Sequence, residues 1–185
     1  NYYAYDDGTA EKIYAHNTNG GTVAYLFDAM VGDSLRGVDM YFLRNNPQEE
    51  AAESFVLCVW EDDNGKPGKL LTSESGKKPA FGDNINEFVS IELDSAIYIK
   101  GKYYIGWQQV SDSYLNLGFD KNTDSKERTF FNFFGTWEET EFNGSLMMRP
   151  LFGAPLVTSV KPRIELTEFK VYPNPASQTI TIELD

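Results

Sequence analysis

Ser54-Phe55-Val56-Leu57-Cys58-Val59-Trp60-Glu61, followed by Asp62-Asp63-Asn64-Gly65, is the stretch that decides the fold. The run is apolar, rich in β-branched and aromatic residues, and too short and too uninterrupted to carry a helical period. Asp and Asn ahead of Gly supply the backbone angles of a tight turn, so a strand is expected to end there and another to begin. Working outward, apolar runs bounded by turn residues recur every ten to fifteen positions. Strands are expected near Tyr2–Tyr5, Thr22–Phe27, Ser34–Leu43, Ser54–Glu61 and Lys69–Ser73. Others fall near Glu87–Leu93, Ala96–Ile99, Lys102–Val110, Tyr114–Phe119, Arg128–Phe134 and Ser145–Leu151. Asn19-Gly20-Gly21, Lys100-Gly101, Asp120-Lys121-Asn122 and Asn143-Gly144 read as the remaining turns. Gln48–Glu53 is the best helical candidate, and reads as a loop or a single turn. About ten strands predict an all-β, two-sheet antiparallel sandwich, with a jelly roll the leading topology and a closed barrel the alternative.

Composition agrees with that class. Among 185 residues there are 13 Phe and 11 Tyr, and 41% are hydrophobic, enough for a core without staples. The formal net charge is −12, which repels phosphate backbones and anionic lipid and argues against nucleic-acid partners. No stretch approaches the roughly 18 apolar residues of a membrane helix, so membrane insertion is not expected. Cys58 is the single cysteine, which excludes an intrachain disulfide and, inside its apolar run, reads as a buried inert thiol.

After Gly153 the character of the chain changes. Residues 1–153 read as the β-sandwich module. The stretch 154–163, with Ala154-Pro155 and Lys161-Pro162, reads as a linker, and a second unit spans 164–185. In that unit strands are expected near Glu168–Tyr172 and Thr179–Leu184, joined by Pro173-Asn174-Pro175, whose two prolines stiffen the corner between them. Ile180 and Ile182 alternate with Thr181 and Glu183 as in a half-buried strand.

Glu168-Phe169-Lys170-Val171-Tyr172-Pro173-Asn174-Pro175-Ala176-Ser177 through Ile180-Thr181-Ile182 resembles the opening of the type A C-terminal sorting domain of the type IX secretion system. The resemblance implies a small Ig-like sandwich read by that export machinery, and hence a parent protein that is extracellular or on the outer surface of a Gram-negative bacterium. The chain ends at Asp185, ahead of the family's later glycine-containing and lysine-rich part, so 164–185 is expected to be the truncated start of such a domain. Tyr5–Glu11, Val59–Gly68 and Tyr104–Trp107 in turn resemble uncharacterised β-sandwich modules that precede such tails. Asn1 in place of Met, with no signal-peptide pattern after it, is expected of a piece of a longer protein.

Chemistry is tested residue by residue. His16 is the only histidine and lies in the polar run Ala15–Asn19, so it is expected at the surface. With one His and one Cys, zinc lacks ligands and nucleophilic triads lack a base. Two carboxylates of a glycoside hydrolase stay as an unspecific alternative. Calcium is the credible cation, in a structural role. Asp120, Asn122 and Asp124 place oxygens at alternating positions, with a solvated hairpin turn as the other reading, and Asp6, Asp7 and Glu11 form a second candidate set. Ser125 and Phe131 stand where an EF-hand requires Gly and Glu. Trp60 and Trp107 are expected in the core, whereas Trp137 and Tyr114 sit among polar neighbours and are the candidate ligand-binding aromatics. The sequence therefore leads to a non-catalytic accessory module that binds an extracellular glycan or protein in an adhesion role. A structural spacer beside a catalytic domain is the alternative, and a glycosidase domain the more remote one.

Overall fold

The computed structural model describes residues 3–44, 53–82 and 84–153, and the backbone of 169–172 and 181–184. Contacts divide the chain into two compact units, Asn1–Pro155 and Leu156–Asp185. The expected linker and the Gln48–Ala52 stretch lie outside the described residues. The chain is all-β and antiparallel, as expected.

Within the first unit β1 is Lys12–Tyr14, β2 Thr22–Met40, β3 Phe55–Asp63, β4 Lys66–Lys77, β5 Val89–Gln109, β6 Leu117–Asp120, β7 Thr129–Asn132, β8 Glu138–Glu139, β9 Ser145–Leu146 and β10 Met148–Phe152. The larger sheet runs β4-β3-β5-β2-β7-β8, with β10 on the far half of β2, and the smaller one runs β1-β6-β9. The run at Phe55 is continuous because β3 is covered on both faces. Phe55, Leu57 and Val59 enter the main core, while Val56, Cys58 and Trp60 enter a second cluster with Ala24, Tyr104 and Phe130. Its turn forms as read: Asp63 pairs with Lys66, and Asn64 and Gly65 take φ of 52° and 85°, the left-handed pair a two-residue hairpin needs.

Two expectations are corrected. The segments read as separate strands at 22–27 and 34–43, and at 87–110, are single bent strands, β2 and β5. Lys100-Gly101 is not a hairpin turn. Gly101, with φ of 80°, pairs with Ala29, and the register slips between Ala29 and Asp33, where residues 30–32 of β2 stand against Lys100 alone, so the ladder is bulged on β2 and β5 runs on through it. The long β2–β5 ribbon spans the larger sheet of the sandwich. Second, Tyr3–Tyr5 forms no strand. Tyr3 packs edge-on to Phe152 and Tyr5 against Phe27 and Tyr25, so this segment crosses the strands to place its rings instead of pairing along one.

In the second unit β11, Phe169–Tyr172, pairs antiparallel with β12, Thr181–Leu184, in the register Tyr172 to Thr181. Among the described residues no helix is long and apolar enough to cross a membrane.

Candidate functional site

Members of the two acidic sets, remote in sequence, fold into one network of Asp7, Glu11, Asp120 and Asn122. Asp120 is fully buried. Its Oδ2 accepts the Asp7 N–H at 2.7 Å, and its Oδ1 accepts the N–H groups of Asn122 and Thr123 at 2.6 and 3.1 Å. Asn122 Nδ2 donates to Asp7 Oδ2 and to Glu11 Oε1 at 3.0 and 3.1 Å, and the Lys121 N–H donates to Glu11 Oε2 at 2.9 Å. Thr9 completes Asp7 and Glu11 from its hydroxyl, and the Thr9 and Asn122 bonds hold the Asp7 carboxyl below the usual carboxylate range. Asp6 is held by the Arg149 guanidinium, whose Nε and Nη2 lie 3.1 and 2.5 Å from its two oxygens. Exposed Asp124 accepts from the N–H groups of Lys126 and Gly144.

The oxygens of the two sets expected to suit calcium accept, in this structure, from amides, hydroxyls and a guanidinium. Among the described residues no three carboxylate, histidine or cysteine groups converge in a cation-holding set. What the network does is latch the 3–11 segment onto the end of β6.

The candidate aromatics are not brought together. Trp137 is half-buried, edge-on to Trp60 at 5.4 Å in the second cluster, because the β7–β8 hairpin folds it back on the sheet. Tyr114, 51% exposed, lies by Phe55 and Gln109. Phe55 and Trp60 are five residues apart along β3, about 17 Å at strand rise, so the two rings form no common platform. Trp60 and Trp107 are buried, as expected, and burial pushes the Cys58 thiol up to about 12, which leaves it un-ionised and inert.

The site that sequence reading missed is a cleft of about 560 Å³ between β1 and the chain following β8. Residues 12–16 form one wall and 140–142 the other, with Phe119, Phe131 and Phe133 between them. Tyr14 stands 5.5 Å from the Phe119 ring and 6.2 Å from Phe142, and its hydroxyl donates to Thr140 Oγ1. Lys121 lies 5.5 Å over Phe119 and is bonded to the Asn143 carbonyl. The available signal was the period of two in Phe130–Phe134: Phe130 faces the second cluster, while Phe131 and Phe133 line the cleft.

His16 is not a surface histidine. It is half-buried in the cleft wall, 4.7 Å from Phe133 and stacked at 6.3 Å over Trp107. Its Nδ1 accepts the Thr18 N–H, so the neutral ring carries its proton on Nε2, a buried donor with no partner. Burial lowers its pKa to about 4, against about 6.5 in the unfolded chain. The unfolded state therefore binds the extra proton first, and stability present above pH 6.5 is lost as pH falls toward 4. After discounting for solvent at the cleft wall this amounts to on the order of 1–2 kcal/mol. His16→Phe is expected to lose less melting temperature than the parent between pH 7 and 4.5. Parallel pH profiles would show that the ring does not titrate as buried.

In comparisons with known proteins, no family model matched the chain, and no curated protein and no solved structure matched it.

Proposed function

We propose that the first unit is a non-catalytic binding module of an exported surface protein, and that it takes its ligand in the aromatic cleft. The observation that carries this reading is the exposure of the cleft's own rim: Phe142 is 65% and Ile13 48% exposed, although both stand beside a ready apolar wall. A concave apolar site with few polar groups is the usual form of a ligand pocket. The exported setting, with the type IX machinery as partner and an extracellular or outer-surface location, rests on the Tyr172–Pro175 resemblance. The pairing of Phe169–Tyr172 with Thr181–Leu184 supports it, since strands on either side of the Pro-Asn-Pro corner are what that opening requires.

The ligand classes are an extracellular glycan or a protein, in an adhesion role. An array of glycans and matrix proteins probed with the full chain and with Phe142→Ser and Ile13→Ser tests the reading. Both substitutions lie at exposed positions, so melting temperatures should hold while a cleft-bound ligand loses at least ten-fold in affinity, as expected for an anchor at a binding hot spot. Ligands bound equally by all three proteins would place the binding surface elsewhere. An array silent for the parent chain would leave the spacer reading in its place.

A further inference from the structure

The wall of the cleft formed by β1 is unusual in that consecutive residues, 12 through 16, line it. Side chains alternate between faces along a strand, so a wall built of consecutive residues is a strand seen from its edge. β1 is an edge strand of the small sheet, and the register shows which of its backbone groups are turned outward. Ile13 lies opposite Gly118. The Gly118 N–H donates to the Tyr41 carbonyl at 2.8 Å and its carbonyl accepts from Met147 at 3.0 Å, both away from β1. In an antiparallel ladder such a residue faces a non-hydrogen-bonded partner. The amide and carbonyl of Ile13 therefore point out of the sheet, along the free edge.

The side chains around that edge decide what suits it. A polyhydroxylated sugar would bring several donors and acceptors into a wall of Tyr14, Phe119, Phe131 and Phe133, where Thr140 Oγ1 is already engaged by Tyr14 and by the Phe142 N–H. Each hydroxyl desolvated without a partner opposes binding. An extended peptide brings a main chain that satisfies Ile13 and alternate side chains that fill the apolar wall. Charge adds direction: Lys12 and Lys121 flank the cleft against the single acid Glu141, in a chain whose net charge is −12.

We propose, resting on the cleft as the binding site, that its ligand is an extended segment of a protein partner that adds as a strand to the free edge of β1. In antiparallel pairing the segment carries an apolar residue opposite Ile13, an aromatic opposite Tyr14 and an acid opposite Lys12, as cross-strand pairs favour.

The test titrates the full chain by calorimetry with acetyl-Thr-Phe-Val-Asp-Thr-amide, with the same peptide N-methylated at Val, and with a version carrying Lys for Asp. Cello-, chito- and laminari-oligosaccharides form a separate arm. The parent peptide is expected to bind. N-methylation at Val removes the donor to the Ile13 carbonyl and should weaken binding at least ten-fold, as should Ile13→Pro, which removes the outward amide. Proline is tolerated at that position of an edge strand, and the melting temperature of the variant checks folding independently. The Asp peptide should bind roughly two- to five-fold tighter than the Lys peptide, with the order reversed in Lys12→Glu. Peptide binding indifferent to N-methylation, or tighter for the Lys peptide, would overturn strand addition while leaving the cleft as the site. Oligosaccharide binding that Phe142→Ser abolishes, with no peptide binding, would overturn it in favour of a glycan. Absence of binding in both arms would remove the proposal, and the array in the previous section then decides separately whether the cleft binds at all.

Discussion

Asp120→Ala is expected to destabilise the first unit by about 3 kcal/mol, because three backbone N–H groups lose their acceptor at once. A lost bond to a charged acceptor is worth roughly 1.5–3 kcal/mol, and neighbouring losses do not add fully. For a domain of this size the melting temperature should fall by about 6–12 °C. The Asp7 contact spans 113 positions of sequence, so the effect is not confined to a turn. Without it the 3–11 segment loses its tie to β6, and Tyr5, which packs on Tyr25 and Phe27, becomes easier to expose. Protease sensitivity near Asp7 should rise ahead of global unfolding. Asp124→Ala serves as the comparison. That carboxylate is exposed and accepts from the Lys126 amide two positions on and the Gly144 amide twenty positions on, both at one oxygen, and its loss should remain below about 1 kcal/mol. Equal melting temperatures for the Asp120→Ala protein and the parent would show that the latch contributes nothing.

Gly106→Ala should be at least as damaging, although it adds only one methyl group. A Cβ at Gly106 would stand 1.9 Å from the Val23 carbonyl oxygen and 2.8 Å from the Ala24 Cα. Both are backbone atoms of β2, paired with β5 through Val23 to Trp107 and Ala24 to Gly106. No rotamer relieves a clash of main chain with main chain. The central ladder must open, and β3, paired with the same residue through Cys58, moves with it. Overpacking in a core costs about 1–3 kcal/mol where side chains can yield, and here they cannot, so a loss at or above the upper end is expected. A soluble, cooperatively melting Gly106→Ala protein within 2 °C of the parent would contradict the backbone approach. Gly65→Ala is the contrasting case. Nothing lies within 4 Å of its added Cβ, and the cost there comes from the positive φ alone, about 1 kcal/mol.

Much of the architecture was legible because local physics decides it. Phe55–Trp60 with Asp63-Asn64-Gly65 reads as a strand and hairpin on side-chain shape and turn angles alone, and Trp107 reads as core from its place beside Tyr103 and Ile105. The failures share a cause. Lys100-Gly101 has turn chemistry but lies inside β5, opposite a bulge of β2, because whether a chain reverses at a glycine depends on the strand already beside it. His16 stands in a polar run but is covered by Phe133 and Trp107. In each case the neighbours that determine burial are non-local.

The amino-acid sequence by itself determined the all-β class, the turn at Asn64-Gly65 and the buried Cys58, since each follows from alternation, turn propensity or composition within a short window. Only the tertiary structure decided what the acidic residues bond to and where the aromatic cleft lies. Asp7 and Glu11 meet Asp120 and Asn122 because the 3–11 segment folds back across more than a hundred positions. Whether clustered oxygens face an ion or each other's amides is a matter of geometry that spacing does not encode. The cleft, likewise, exists because the free edge of β1 lies alongside the non-strand chain after β8. Its walls come from residues 12–16 and 140–142, and no window of sequence contains both.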